Sequence, residues 1–204
     1  LFRSTFTKTV DATTLITNSG GTVVIKGDSI TTSGVQTYGE DVYLDNASHS
    51  TLLNANNAAV TFSGKVNNAT AGTPESLEIN AGGGAVLFSE TLGDAGKLGD
   101  LRINSSGVTT FTNTVDATTL ITNAGGTVVI KGGSITTSGV QTYGEAVVIT
   151  AETLLDASSI RFDGTIMSDG LAAHALTVHA RTGDANFSAA VGSAATPIGL
   201  FQVA

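Results

Sequence analysis

The sequence predicts an all-β chain, a single-stranded β-solenoid (β-helix) of about 8–10 coils. Three observations lead there. Residues 9–40, TVDATTLITNSGGTVVIKGDSITTSGVQTYGE, return at 114–145 with thirty of thirty-two positions identical; only Ser19/Ala124 and Asp28/Gly133 differ. Self-similarity at a fixed offset, here 105 residues, marks a stacked or arrayed architecture. A shorter beat runs through both copies, an aromatic followed four residues later by an aliphatic. It falls at Phe6/Val10, Tyr38/Val42, Phe62/Val66, Phe88/Leu92, Phe111/Val115, Tyr143/Val147, Phe162/Ile166 and Phe187/Val191. Composition agrees: 41% of residues are hydrophobic but only 13% charged and 5% aromatic. That excludes coiled coils and helical bundles, which are built on Glu, Lys, Arg and Leu. Abundant Val, Ile and Thr with sparse charge argue against disorder.

Each aromatic closes a short strand. Two positions before it stands a small or apolar residue (Val60, Val86, Ile160, Ala185), the period-two alternation of a half-buried strand. A second strand, Leu-x-Ile/Val, follows at 77–79, 101–103 and 176–178, and Leu15 and Leu120 hold its place in the duplicated stretch. Turns such as Asn80-Ala81-Gly82-Gly83-Gly84 and Asn123-Ala124-Gly125-Gly126 supply positive φ without steric cost. The variable segments are 67–76, 93–100, 167–175 and 192–199, and they carry both prolines, Pro74 and Pro197. Proline there removes no ladder donor, and insertions at one place of a regular unit predict loops on one face of the stack.

Successive aromatics lie 32, 24, 26, 23, 32, 19 and 25 residues apart, the span of a coil of two or three short strands. The 32-residue intervals hold Val23-Val24-Ile25 and Ser29-Ile30-Thr31, repeated at 128–130 and 134–136. These read as an extra face or an extra short coil, so each 105-residue unit has four or five coils. Near 151–160 the second copy is about five residues shorter than the first is near 46–60. The domains are residues 1–105 and 106–204, two copies in one continuous rod. Two closed sandwiches of about 100 residues each fit less well, because the beat crosses residues 88–111 without a linker. One coil cannot bury its own apolar side. Phe6, Tyr38, Phe62, Phe88, Phe111, Tyr143, Phe162 and Phe187 are therefore expected to stack as one interior file.

Net charge is −8 with no cluster of Lys or Arg, which excludes a nucleic-acid partner. No apolar run is long enough to span a bilayer, so no membrane insertion is expected. Leu1 in place of Met, and a pattern already under way at Phe6, predict a piece cut from a longer array. His174 and His179 are five apart, on opposite faces of a strand, and with His49 they read as exposed or loop residues. There is no HExxH, GxSxG or phosphate-binding Gly-Lys-Ser/Thr loop, and no cofactor is called for. Glu40-Asp41 becomes Glu145-Ala146 in the second copy and Asp28 becomes Gly133, while Asp11/Asp116, Glu40/Glu145 and Lys26/Lys131 persist. A glycan-cleaving cleft needs convergent acids, and none stands out, so no enzyme is expected. The candidates for a glycan or calcium loop are Asp94 and Asp100, in GDAGKLGD, and Asp169; none fits the calcium nonapeptide or an EF-hand. Outward threonines are expected at Thr31-Thr32, Thr61, Thr109-Thr110 and Thr136-Thr137, without the strict register of a water-ordering array.

The strings TTFTNTVDATTLITNAGGTVVIKGGSITTSGVQTYGEAV, VTFSGKVN and SLEINAGGGAVLFSETLG resemble repeats of giant bacterial surface proteins of the filamentous-haemagglutinin and autotransporter-adhesin type. The likeness is one of repeat style, F-x-x-x-V…L-x-I-x-A-G-G, and runs from about residue 4 to 204. It implies an extracellular, cell-surface location, a β-solenoid shaft, and adhesive or fibre-forming roles. The expected partners are other copies of the chain or further repeats, end to end or lateral, and surface glycans. The expected function is a structural, non-catalytic shaft segment. The competing expectation is a polysaccharide-binding or -cleaving β-helix, its groove lined by 67–76, 93–100 and 167–175 with Asp94, Asp100 and Asp169.

Overall fold

Three to eight alternating residues, then a Gly-, Asn- or Ser-rich corner, is the local rule along the whole chain. The computed structural model describes residues 2–70, 72–123 and 125–204. Leu1, Ala71 in the 67–76 segment and Ala124 in the 123–126 turn lie outside them. Among the described residues there is no helix. The strand ladders are parallel, as they must be when each coil returns above its own start. The described residues form a β-solenoid of nine coils and the first strand of a tenth, with three faces.

Face A begins with Phe2–Phe6, Gly21–Ile25, Asp41–Leu44 and Val66–Asn68. It passes through a bridge at Leu92 into the first half of Val115–Thr122, then continues as Ser134–Thr137, Thr153–Ala157, Leu176–Ala180 and Phe201–Val203. Face B runs from Val10–Ala12 through Ser29–Thr32, Ser50–Asn54, Ser76–Gly82 and Leu98–Ser105 to the second half of Val115–Thr122. Gln141–Tyr143, Ile160–Phe162 and Ala185–Phe187 complete it. Face C stacks Leu15–Thr17, Gln36–Tyr38, Val60–Phe62, Val86–Phe88, Val108–Phe111, Thr127–Ile130, Ala146–Ile149 and Ile166–Ser168.

The two copies do not occupy the same faces. Phe6 lies on face A of the first coil, and its equivalent Phe111 lies on face C of the fifth. From one to the other is fourteen faces, so the 105-residue unit is four and two-thirds coils at 7.5 residues per face. Near-identical sequence is thus laid down one face earlier in the second copy. The 32-residue intervals are neither an extra face nor an extra coil; each is five faces, one coil and two-thirds. The missing residues come from two corners, where 45–49 and 55–59 become 150–152 and 158–159.

The structure corrects three expectations. The rings form two files, not one. Tyr38, Phe62, Phe88 and Phe111 stack on face C at 4.9, 5.1 and 5.3 Å. Tyr143, Phe162 and Phe187 stack on face B at 5.0 and 5.2 Å. Phe6 stands apart on face A, paired with Ile25. The variable segments fall on two edges: 67–76 and 93–100 at the A–B edge, 167–175 and 192–199 at the C–A edge. Within the threonine pairs one member points inward, since Thr32, Thr109 and Thr137 are buried.

The interior is closed by parallel files of side chains. On face B the file reads Val10, Ile30, Leu53, Ile79, Ile103, Thr122, Tyr143, Phe162, Phe187. On face C it reads Thr17, Tyr38, Phe62, Phe88, Phe111, Ile130, Ile149, Ser168. Offset-stacked rings contribute about 0.5–1.5 kcal/mol per pair beyond their buried area. Since Phe88 belongs to the first copy and Phe111 to the second, one of these stacks joins the copies.

Candidate functional site

Corners, not faces, hold most of the charged groups. A groove of about 360 Å³ lies at the A–B edge over coils 2–4, lined by Lys26, Asp45, Asn46, His49, Thr73 and Glu75. Lys26 Nζ pairs with Asp45 at 2.7 Å. Asn46 is buried and donates to the Gly27 and Ser50 carbonyls at 3.1 and 2.8 Å, closing the corner. That closure places His49 at φ +57°, the left-handed region that non-glycine residues visit in tight turns. Its ring nitrogen lies 2.9 Å from Glu75 Oε1. Glu75 is buried, and its Oε2 has no hydrogen-bond partner among the described residues. A carboxylate under an imidazole, beside a lysine, can bind a hydroxyl-rich ligand or exchange a proton with it. Sequence reading missed this site because His49 and Glu75 are 26 residues apart and meet only when coils 3 and 4 stack.

The three aspartates singled out above are not brought together. Asp94 and Asp100 flank the A–B corner of coil 5, and Asp169 sits on the C–A edge of coil 8. Asp94 pairs with Lys65 Nζ at 2.6 Å, which lowers the carboxyl and raises the amine. Asp100 accepts from the Thr119 hydroxyl at 2.8 Å. Asp169 accepts from the Leu171 and Ala172 amides, with His174 Nε2 at 3.4 Å, and the Leu171 N–H does most to hold it below the usual carboxylate range. His179 faces Asp156 at 3.2 Å on the preceding coil. Among the described residues no three His, Cys, Asp or Glu side chains group as metal ligands.

Two buried polar clasps repeat with the duplication. The Tyr38 hydroxyl donates to Gln36 Oε1 at 2.9 Å, and Gln36 Nε2 donates to the Ile30 and Asn54 carbonyls. Tyr143 and Gln141 repeat this at 3.0 Å, with the Ile135 and Asp156 carbonyls as acceptors. Burial pushes both phenols far above their usual range. Each clasp sits at the start of an aromatic file, where a threonine (Thr17 or Thr122) lies in register on the coil below. On the outside, the central column of face C is uncharged: Ile16, Thr37, Thr61, Leu87, Thr110, Val129, Val148 and Met167.

Glu145 stands in the corner between faces B and C of coil 7, buried, with Oε2 unpartnered among the described residues. Burial raises its carboxyl from the usual 4.5 to about 7, against the opposing pull of the Thr122 hydroxyl and the Gly126 amide. The folded chain therefore keeps this proton to higher pH than the unfolded chain. The stabilisation is complete below about 4.5 and is lost as pH rises toward 7. Urea midpoints measured near pH 4 and near pH 8 are expected to fall across this window, and less so in Glu145→Gln; an equal fall in both proteins would exclude Glu145 as the source.

Among the described residues no helix is long and apolar enough to cross a membrane. Comparison with family models, with curated proteins and with solved structures found no match to the chain.

Proposed function

We propose that the chain is a structural, non-catalytic segment of an extracellular bacterial adhesin or surface filament, working as a β-solenoid shaft. The observation that carries the reading is the ladder. It runs from Phe2 to Val203 and crosses the boundary between copies with Phe88 paired to Phe111 and Leu101 to Leu120. A rod built this way resists extension through every rung, because each coil hydrogen-bonds to the one before and the one after. The uncharged central column of face C offers a flat surface for lateral contact between rods. The repeat style of the sequence supports the surface location.

Pulling a single molecule by its termini tests this. Coils are expected to leave one at a time, each releasing about 75–80 Å of contour, the extended length of 22–23 residues. One all-or-none rupture at low force would sink the shaft reading. The alternative, a polysaccharide-binding or -cleaving β-helix, has the groove over coils 2–4 in its favour. Saturable binding or turnover of a polysaccharide, abolished in Glu75→Gln, would replace the shaft with that reading.

A further inference from the structure

Charge is distributed unevenly round the rod. Face C carries a second outward column beside the central one, two residues earlier in each strand: Val35, Ala59, Ala85, Val108, Thr127 and Ala146. The alternation along each strand puts both columns outside: Val108 and Thr110 flank the buried Thr109, and Ala146 and Val148 flank the buried Val147. None of the chain's 9 Lys and Arg or 17 Asp and Glu stands in either column. The outer columns of the other faces hold Arg3, Asp41 and Asp156 on A, and Glu78, Arg102 and Arg161 on B. Among the described residues the B–C edge is uncharged as well over coils 2–6, where Ser33, Asn57, Gly83 and Ser106 stand. Lys65, Glu90 and Lys131 mark the C–A edge. Val35 and Val108 are 38% and 45% exposed, aliphatic side chains left in water on this side of the rod.

We propose that face C docks on face C of a second copy of this chain, the two rods lying side by side and pointing the same way about a two-fold axis that runs along them. The proposal deepens the shaft reading and rests on it. A chain of net charge −8 repels its own copies, and face C is the side on which two copies meet without setting carboxylate against carboxylate. The axis sets each strand of face C against the same strand of the partner, reversed in direction, so the two columns trade places. Small then meets large: Ala59 lies against Thr61, Ala85 against Leu87 and Ala146 against Val148. In coils 2, 5, 6 and 8 a threonine lies against an aliphatic side chain. The rungs of both rods share one spacing of about 4.8 Å, so a fit made at one coil is kept at the next. The charged C–A edge of each rod falls opposite the uncharged B–C edge of the other. Over coils 2–8 the two columns rise about 29 Å and with their flanks span about 15–20 Å. That makes roughly 500 Å² on each rod and roughly 1,000 Å² buried in all, the lower bound for a specific contact. Such a pair is weak at this length and tightens with every further coil that joins it. Both copies use the same surface, so the contact closes as a dimer.

Sedimentation of the whole chain with Thr110→Lys, Thr110→Glu and Thr142→Lys variants tests this. Thr110 sits in the central column of face C, and Thr142 on the outside of face B between Ile121 and Arg161. The wild type and Thr142→Lys are expected to pass from 20.4 kDa toward twice that mass as concentration rises. Thr110→Lys and Thr110→Glu alone are expected to stay monomeric, because the two-fold axis sets each new charge beside its own copy. Mixed in equal amounts, they are expected to recover the dimer, which a chain that had failed to fold would not do. The chain has no cysteine, so cross-linking checks the parallel arrangement. A mixture of Ala85→Cys and Leu87→Cys chains is expected to join through a short thiol reagent, and a mixture of Ala85→Cys and Val148→Cys chains is not. A Thr110→Lys chain that associates as the wild type does, a monomeric mixture, or the reverse cross-linking pattern would each overturn the pairing. A wild type that stays monomeric and still scatters as a rod would overturn the pairing alone and leave the shaft standing.

Discussion

Phe88→Ala is expected to lower the free energy of unfolding by about 3–5 kcal/mol, the range for removing a buried phenylalanine. The ring is fully buried and is stacked on both sides, 5.1 Å from Phe62 and 5.3 Å from Phe111. Truncation removes both stacks and leaves a void that the flat ladder cannot close, because coil spacing is set by backbone hydrogen bonds and not by side-chain size. The site is also where the copies meet. In a one-dimensional stack, stability is a sum over neighbouring units, so weakening this interface uncouples the two halves. Chemical denaturation is expected to show a lower midpoint and a broader or two-step transition. Phe187→Ala, at a half-buried ring in the ninth coil, is expected to cost less, about 1.5–3 kcal/mol. Equal losses at the two positions would contradict the file as drawn.

Gly93→Ala is expected to be the most damaging change at a corner. Gly93 has φ +78°, and a Cβ there would overlap the backbone carbonyl oxygen of Asp116 on the next coil. Its own amide donates to the Val66 carbonyl at 2.8 Å, and the Asp116 amide donates to the Leu92 carbonyl at 2.8 Å. Three coils are locked at that point, so the overlap is relieved only by opening a rung. The left-handed backbone costs about 1–2 kcal/mol for a residue with a Cβ, and a broken, buried backbone hydrogen bond adds about 1–3 kcal/mol. Gly20→Ala is the control. Its φ is +93° and nothing lies within 4 Å of the added atom, so the conformational cost of about 1–2 kcal/mol is expected alone. Thermal or urea unfolding of the two variants side by side separates the terms, and matching losses would mean that the coil above Gly93 yields.

The groove and the junction between the copies differ in how far the sequence announces them. The junction is visible as a repeated string, Phe-x-x-x-Val followed by Leu, because like residues recur in like order. The groove is not. Glu75 and His49 belong to corners of unequal length on neighbouring coils, and no spacing rule links them. The Gln-x-Tyr clasp was equally hidden, since a glutamine two residues before a tyrosine reads as an ordinary strand position until its side chain is found inside. The three aspartates Asp94, Asp100 and Asp169 illustrate the converse. Turn carboxylates stand out in a chain with few charges, but a solenoid edge spreads them along its length and gives each its own neighbour.

The architecture was legible because a coil is a local object. Alternation at period two, an aromatic every 19–32 residues and small residues at the corners are enough to specify stacked rungs, whichever face each rung presents. Phase was not legible. That the unit is fourteen faces rather than twelve or fifteen depends on how many residues each corner uses, and corner conformation is decided by contacts with the coils above and below. One face of offset splits the aromatic file in two and distributes the loops over two edges. It also makes the end of one copy fit the start of the next at a turn of one third. Identical residues do different work in the two copies because stacking, a relation between coils, assigns the face.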